Sequence, residues 1–365
     1  MYDLIIKNAT TIDNQPISVA VTNGKIEKVA QEIHDEAREI FDANGLFLSA
    51  GWIDAHVHCF EKMDLYYDYP DKVGVENGVT TIVDAGSTGE NNIRDFYEIA
   101  KNAKTNVYAL LNISKNGIVT QDELSDLSRV NETKNIERIN ELPEFIIGIK
   151  ARMSKSVIGE NGVKPLVMAK ELQKKVNLPL MVHIGTAPVA LDELFTYLEK
   201  GDIVTHCFNG KDNGILDTNG KIKEFAKTAY HNGVHFDIGH GTDSFNFEVA
   251  LRAKEEDILA DTISTDIYSR NREYGPVYNM ATTMEKLMFV GYSLEEVVTR
   301  VTKAPAKALG FTTKGEVKEG FDADFTLFEV ANEAKELRDS NGATKEVNQK
   351  IIPKTAIIAG KVYNI

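Results

Sequence analysis

Alternating apolar and polar residues open the chain. Asp3-Leu4-Ile5-Ile6-Lys7-Asn8-Ala9 and Pro16-Ile17-Ser18-Val19-Ala20-Val21 each read as a strand. Asn23-Gly24 then turns the second into Lys25-Ile26-Glu27-Lys28-Val29. An Asn-Gly pair between alternating runs is the strongest short hairpin signal, so the first part of the chain is predicted to be a small β unit. From residue 49 onward the rhythm changes. Short apolar runs alternate with helix-length amphipathic segments such as Ile93 to Lys101 and Val167 to Lys175. Eight runs read as strands: 52–58, 80–85, 106–113, 145–152, 180–184, 203–208, 234–238 and 262–266. Strand-helix units in this number and at this spacing predict a (β/α)8 TIM barrel.

Beyond residue 313 the β character returns in Asp324 to Phe328, Thr355 to Ala359 and Gly360 to Tyr363. The α/β barrel, residues 49–313, is therefore expected to carry a small discontinuous β-sandwich domain built from residues 1–48 and 314–365. The charged stretch Glu333 to Gln349 is expected to be an exposed loop or insertion. No solenoid repeat or low-complexity tract interrupts the pattern.

Composition narrows the function. The chain has 365 residues, 42% of them hydrophobic and 26% charged, with a formal charge of −14. That balance supports a globular core and excludes wholesale disorder. Its sign repels phosphate backbones, so no nucleic-acid partner is expected. No apolar run reaches the roughly 20 residues that span a bilayer, so no membrane partner is expected either. Met1-Tyr2-Asp3-Leu4 places an acid where a signal peptide carries basic charge. Two cysteines, Cys59 and Cys207, cannot build a disulfide framework. Together these predict a cytoplasmic protein acting on a small-molecule substrate.

Asp54-Ala55-His56-Val57-His58 ends the first barrel strand. Residues two apart on a strand face the same side, so His56 and His58 can grip one ion. His183 and His206 each end a later strand, Asp266 ends the eighth, and Lys150 ends the fourth. Active sites of such barrels lie at the C-terminal ends of the strands. Satisfied core histidines have no reason to gather there. A lysine in an apolar strand is costly without a partner, and an ammonium cannot bind a cation. Carboxylated by carbon dioxide, Lys150 offers two anionic oxygens.

This set resembles the amidohydrolase superfamily, in its binuclear branch with a carboxylated lysine. The resemblance runs the length of the chain, down to Gly320-Phe321-Asp322-Ala323-Asp324, which looks like the family's return into the flanking β domain. It implies two divalent metal ions, zinc by the preference of imidazole and carboxylate donors. His56, His58 and Asp266 would hold the buried ion, His183 and His206 the exposed one, and carboxylated Lys150 would bridge them. It also implies that Asp266 is the catalytic acid/base, serving a hydroxide held between two ions roughly 3.5–4 Å apart.

The substrate is less legible. Dihydroorotases carry an arginine two residues after the second histidine, where this chain has Phe60. Adenosine-type deaminases carry His-x-Gly-Glu, where this chain has His183-Ile184-Gly185-Thr186. Arg152 shares a strand face with Lys150 and can clamp a substrate carboxylate, or form an ion pair at the barrel rim. His240, in Gly239-His240-Gly241, can touch substrate or cap its loop. Tyr268 and Arg270 can line the mouth of the site or belong to a solvated loop, the loop being the preferred reading, and Cys59 and Cys207 read as packing residues. His34, His231 and His235 carry no expected role. The resemblance to dihydroorotase-like and deacetylase-like members implies deacylation, and specifically deacetylation, of a small amide or ester bearing a carboxylate. A cyclic amidohydrolase or an adenine deaminase is the alternative, and an inert scaffold a more distant one. A homo-oligomer is expected from fold-level analogy alone.

Overall fold

The computed structural model describes residues 1–365. Seven parallel strands form its central sheet, in the order 235–237, 203–205, 180–183, 146–152, 106–112, 79–85 and 52–57. Apolar and functional positions alternate along them. On Ile146–Arg152, Ile149 and Ala151 join the helix-facing core, while Lys150 and Arg152 take the opposite parity. On Leu180–His183, Val182 joins that core and Met181 packs with Ala55, Val83, Ala85 and Leu110 in a second cluster. Alternation thus places His183 on the Met181 side.

The expected eighth strand is not a regular strand. Residues 262–267 instead run between the two outer strands and bridge to both in parallel, Asp237 with Thr262 and Val57 with Ile267. Backbone bonds continue the contact, from Ile238 N to Thr262 O at 3.1 Å and from His58 N to Ile267 O at 2.9 Å. The 203–208 run also yields a shorter strand than expected. The run from Ile203 stops at Thr205 because His206 takes a left-handed backbone, φ 69°. That backbone leaves the extended region, and the ladder ends there.

Residues from both termini enter one eight-stranded sheet. Its order is 361–364, 350–358, 325–331, 47–50, 2–10, 16–22 and 25–30, with 37–42 branching off 2–10. The first strand changes partner midway. Leu4 to Lys7 pair in parallel with Glu39 to Asp42, and Thr10 pairs with Phe47. The expected sandwich is therefore a single hydrogen-bonded network that branches where its first strand bulges between Ile6 and Ala9. The Phe47–Ala50 strand belongs to it, so the chain passes to the central sheet at Gly51. A Cβ at Gly51 would stand 2.1 Å from Thr80 Oγ1, which reserves the position for glycine.

Glu333 to Gln349 corrects the expectation of an exposed loop. It contains a hairpin, Lys335–Arg338 with Thr344–Val347, and Leu337 and Asp339 are buried. Its tip binds the connection that follows the 235–237 strand. Ser340 N donates to Phe245 O, and Phe247 N donates to Asp339 Oδ2. The sequence pattern misses this docking because charged residues such as Lys335 and Glu336 dominate the segment, while the groups that bind it lie nearly a hundred residues earlier.

Asp324 couples the two sheets. Its Oδ2 accepts from Lys314 Nζ at 2.6 Å and Asn106 Nδ2 at 2.9 Å, and its Oδ1 accepts from Ala359 N at 2.9 Å. No helix is long and apolar enough to cross a membrane. Asp324→Ala should cost roughly 1.5–3 kcal/mol, the range of hydrogen bonds to charged groups. The check is a lower urea midpoint at unchanged slope.

Candidate active site

The expected ligand residues converge at the C-terminal ends of the parallel strands. His56 Nε2 lies 3.3 Å and His58 Nε2 3.1 Å from Asp266 Oδ1. These three side chains form a cluster whose ligand atoms all lie within 4.8 Å of one another. Lys150 Nζ is 3.3 Å from His56 Nε2, and His206 Nε2 is 2.8 Å from His183 Nδ1. Asp266 has a left-handed backbone, φ 50°, like His206. Non-glycine residues so placed cluster at functional sites.

Outer hydrogen bonds fix two of the imidazoles. Thr205 Oγ1 donates its one proton to Asp237 Oδ2 at 2.7 Å. It therefore accepts from His56 Nδ1 at 2.9 Å, which leaves the His56 Nε2 lone pair facing the site. His206 Nδ1 must donate to the Gly239 carbonyl at 2.6 Å, which frees its Nε2 in the same way. Ser87 Oγ holds His58 Nδ1 and Ser154 Oγ holds His183 Nε2, each at 2.9 Å. Such partners are what orient a metal-binding histidine.

Burial sets the charge states. Desolvation pushes His56 and His183 well below the usual histidine range and His206 down to about 4. All three are neutral at pH 7, the form that binds metal. Burial also pushes Lys150 down to about 7, so much of it is a neutral amine at neutral pH. For Asp266, burial alone would raise the carboxyl. The hydrogen bond from His58 heads the opposing effects, which outweigh burial and hold Asp266 below the ordinary range. Neutral imidazoles beside an ionised carboxylate are a fitting donor set for divalent metal.

Two buried acids missing from the sequence reading support these residues. Asp237 accepts from Thr205, Thr262 and Ser264, and Asp54 accepts from the Thr265 backbone and hydroxyl. Burial raises Asp237 and pushes Asp54 up to about 7. The one available signal was the Thr/Ser-rich run Thr262-Ile263-Ser264-Thr265.

A cavity of about 530 Å³ opens over the cluster, lined by His56, His58, Arg152, His183 and Asp266 together with Tyr66, Lys211, Asp243, Tyr268 and Arg270. Tyr268 is buried in its wall, with its hydroxyl 3.0 Å from Thr242 Oγ1, so the second reading of Tyr268 and Arg270, as residues lining the mouth, replaces the preferred solvated loop. Arg152 lines the cavity, but Glu123 already holds its Nε and Nη2 at 2.6 and 2.7 Å. Nη1 is the nitrogen without a protein partner, so a clamp through the Nε–Nη2 edge is closed to substrate. The expected ion pair of Arg152 is therefore present, with Glu123 as its partner, and the expected clamp is left with Nη1 alone. His240 is a correction. It is fully buried, stacks on Phe245 with ring centroids 4.9 Å apart, and does not line the cavity. Its flanking glycines free the backbone, but tertiary packing turns the ring away. Cys59 and Cys207 are buried packing residues, as expected.

With this geometry in view, comparison with known proteins gives the class. The chain is 56% identical over its full length to a deacetylase of Enterococcus faecalis, covering 99% of that protein. Over their full lengths it is 55% identical, with a TM-score of 0.99, to a solved structure described as an adenine deaminase. A solved dihydroorotase is 32% identical, with a TM-score of 0.92, over 100% of this chain and 98% of that one. Residues 317–364 match a family described as a deacetylase-like composite domain. The chain belongs to the amidohydrolase superfamily. The names of its relatives divide between deacetylase, deaminase and cyclic amidohydrolase.

Glu123→Ala would strand the buried Arg152 guanidinium. The loss should be roughly 3–5 kcal/mol, the range for removing one partner of a buried ion pair, read from denaturant unfolding. A change below about 1 kcal/mol, the range of exposed pairs, would mean that solvent replaces Glu123.

Proposed function

We propose that the chain is a metal-dependent hydrolase that removes an acyl group, acetyl in the simplest case, from an amide or ester of a small carboxylate-bearing molecule. One observation carries this: neutral imidazoles, an ionised Asp266 and a buried lysine share one end of the sheet, under a cavity lined by Arg152, Lys211 and Arg270. The named deacetylase relative supports the reaction class. We read the central sheet, with residues 262–267 in the eighth position, as a (β/α)8 barrel, and residues 1–48 with 314–365 as its small domain.

Two ions fit the donor set, with zinc favoured by its imidazole and carboxylate donors. His56, His58 and Asp266 would hold one, and His183 and His206 the other. Lys150, carboxylated by carbon dioxide, would serve both. When bound, such ions polarise a carbonyl and lower the proton affinity of water. The chain's own residues do the rest. Asp266 takes a proton from the attacking water and delivers it to the departing amine or alcohol. Arg152 Nη1 and the Lys211 ammonium, which has no carboxylate partner in the fold, hold the substrate carboxylate. Water adds to the acyl carbon and the C–N or C–O bond breaks, yielding an acid and an amine or alcohol.

Zinc-loaded protein should release acetate without ammonia from N-acetyl and O-acetyl acids. Ammonia from adenine, or ring opening of dihydroorotate or a hydantoin, would replace deacylation with the chemistry named for the other relatives. Lys150→Ala should lose metal and activity, with partial rescue by short carboxylates. An unchanged metal content would remove Lys150 from the site.

A further inference from the structure

One buried ionisable pair has no part in this chemistry. Lys286, on the Met280–Val290 helix, is fully buried, and its Nζ lies 2.8 Å from His240 Nε2 and 2.7 Å from the Pro276 carbonyl. His240 Nδ1 lies 2.9 Å from the Gly241 carbonyl, which can only accept. Nδ1 therefore carries the proton, and Nε2 accepts from Lys286. Two acceptors match the two protons of a neutral amine, and burial pushes Lys286 down to about 7.

The backbone on either side of His240 touches the active site. The Gly239 carbonyl accepts from His206 Nδ1, and Gly239 N donates to Ser264 Oγ at 3.0 Å. Gly241 N donates to Thr265 O at 2.9 Å. A Cβ at Gly241 would stand 2.3 Å from Asp266 Oδ2. Ser340, at the tip of the 335–347 hairpin, reaches the Gly241 carbonyl at 3.2 Å. Glu285, the helical neighbour of Lys286, holds Lys335 of the same hairpin at 2.5 Å. The helix therefore grips both the loop and the hairpin that covers it.

We propose that Lys286 and His240 are a positioning pair that pins Gly239–Gly241, and through it holds His206 by the Gly239 carbonyl and confines the Asp266 carboxylate. Neither side chain touches the cavity, so the pair acts on how well the site is assembled and not on substrate affinity. The inference rests on the hydrolase reading for its kinetic consequence, while its effect on metal retention can be read without any substrate.

The experiment compares Lys286→Met, His240→Leu, His240→Gln and the Lys286→Met/His240→Leu double variant, each zinc-loaded. Two quantities are read: kinetics on the best acyl substrate, and the chelator concentration that removes half the zinc. Both single variants should lower kcat and the chelator midpoint about tenfold, as loss of an outer partner of a metal ligand does, with KM little changed. A pair acting as a unit is non-additive, so the double variant should be no worse than the weaker single one. His240→Gln, whose amide oxygen can accept from Lys286, should recover part of the loss. Should Lys286→Met not fold, the two His240 variants decide. Near wild-type kcat and midpoint in His240→Leu, losses that multiply in the double variant, or a rise in KM alone would each overturn the proposal. If wild-type protein turns over no acyl substrate while the midpoints shift as described, the hydrolase reading falls and the positioning role stands.

Discussion

The site depends on how residues 262–267 are held between the two outer strands of the parallel sheet. This segment bridges each neighbour at one residue pair, and backbone bonds on both sides, such as Gly241 N to Thr265 O and Asp266 N to His56 O, extend the contact. Buried carboxylates reinforce these backbone bonds. Asp54, two residues before His56, binds Thr265, while Asp237 gathers hydroxyls from Thr205, Thr262 and Ser264. A carboxylate taken out of water is tolerable only with such donors. The residues that hold this segment are thus next in the chain to the candidate ligands, and Asp266 follows directly from Thr265.

The same donors set the protonation states. Thr205 can present only its oxygen to His56 because Asp237 takes its proton, and that fixes the tautomer that leaves Nε2 free. Desolvation keeps His56, His183 and His206 neutral, while the hydrogen bond from His58 helps hold Asp266 below the ordinary carboxylate range. One buried environment therefore drives neighbouring groups to different charge states, as metal ligation and proton transfer require.

Much of this was legible in the sequence. Period-two alternation exposed the strands, and the strand-end positions of His56, His58, Lys150, His183, His206 and Asp266 anticipated that the fold gathers them at one end of the sheet. What stayed hidden has a physical reason in each case. Asp54 and Asp237 matter through donors brought from elsewhere in the chain, and a lone acid in a strand carries no mark of its partners. Glu123 is separated from Arg152 by 29 residues, and nothing local announces their ion pair. His240, between two glycines, could be read equally as touching substrate or as capping its loop. Its direction is decided by Phe245 and Lys286, which only the tertiary fold brings to it. The 335–347 hairpin was hidden by its charge, since a polar ribbon lying on a polar rim has no amphipathic signature.

That hairpin also imposes an order on biosynthesis. Its tip supplies Ser340 and Asp339 to residues 241–247, about a hundred positions upstream. During translation the loop beside Asp266 waits, without its last hydrogen bonds, until the ribosome has released the segment beyond Asn341. Until then the parallel sheet can be complete while its chemistry is not. A nascent chain stalled short of that point would be folded through most of its length and still lack a finished active site.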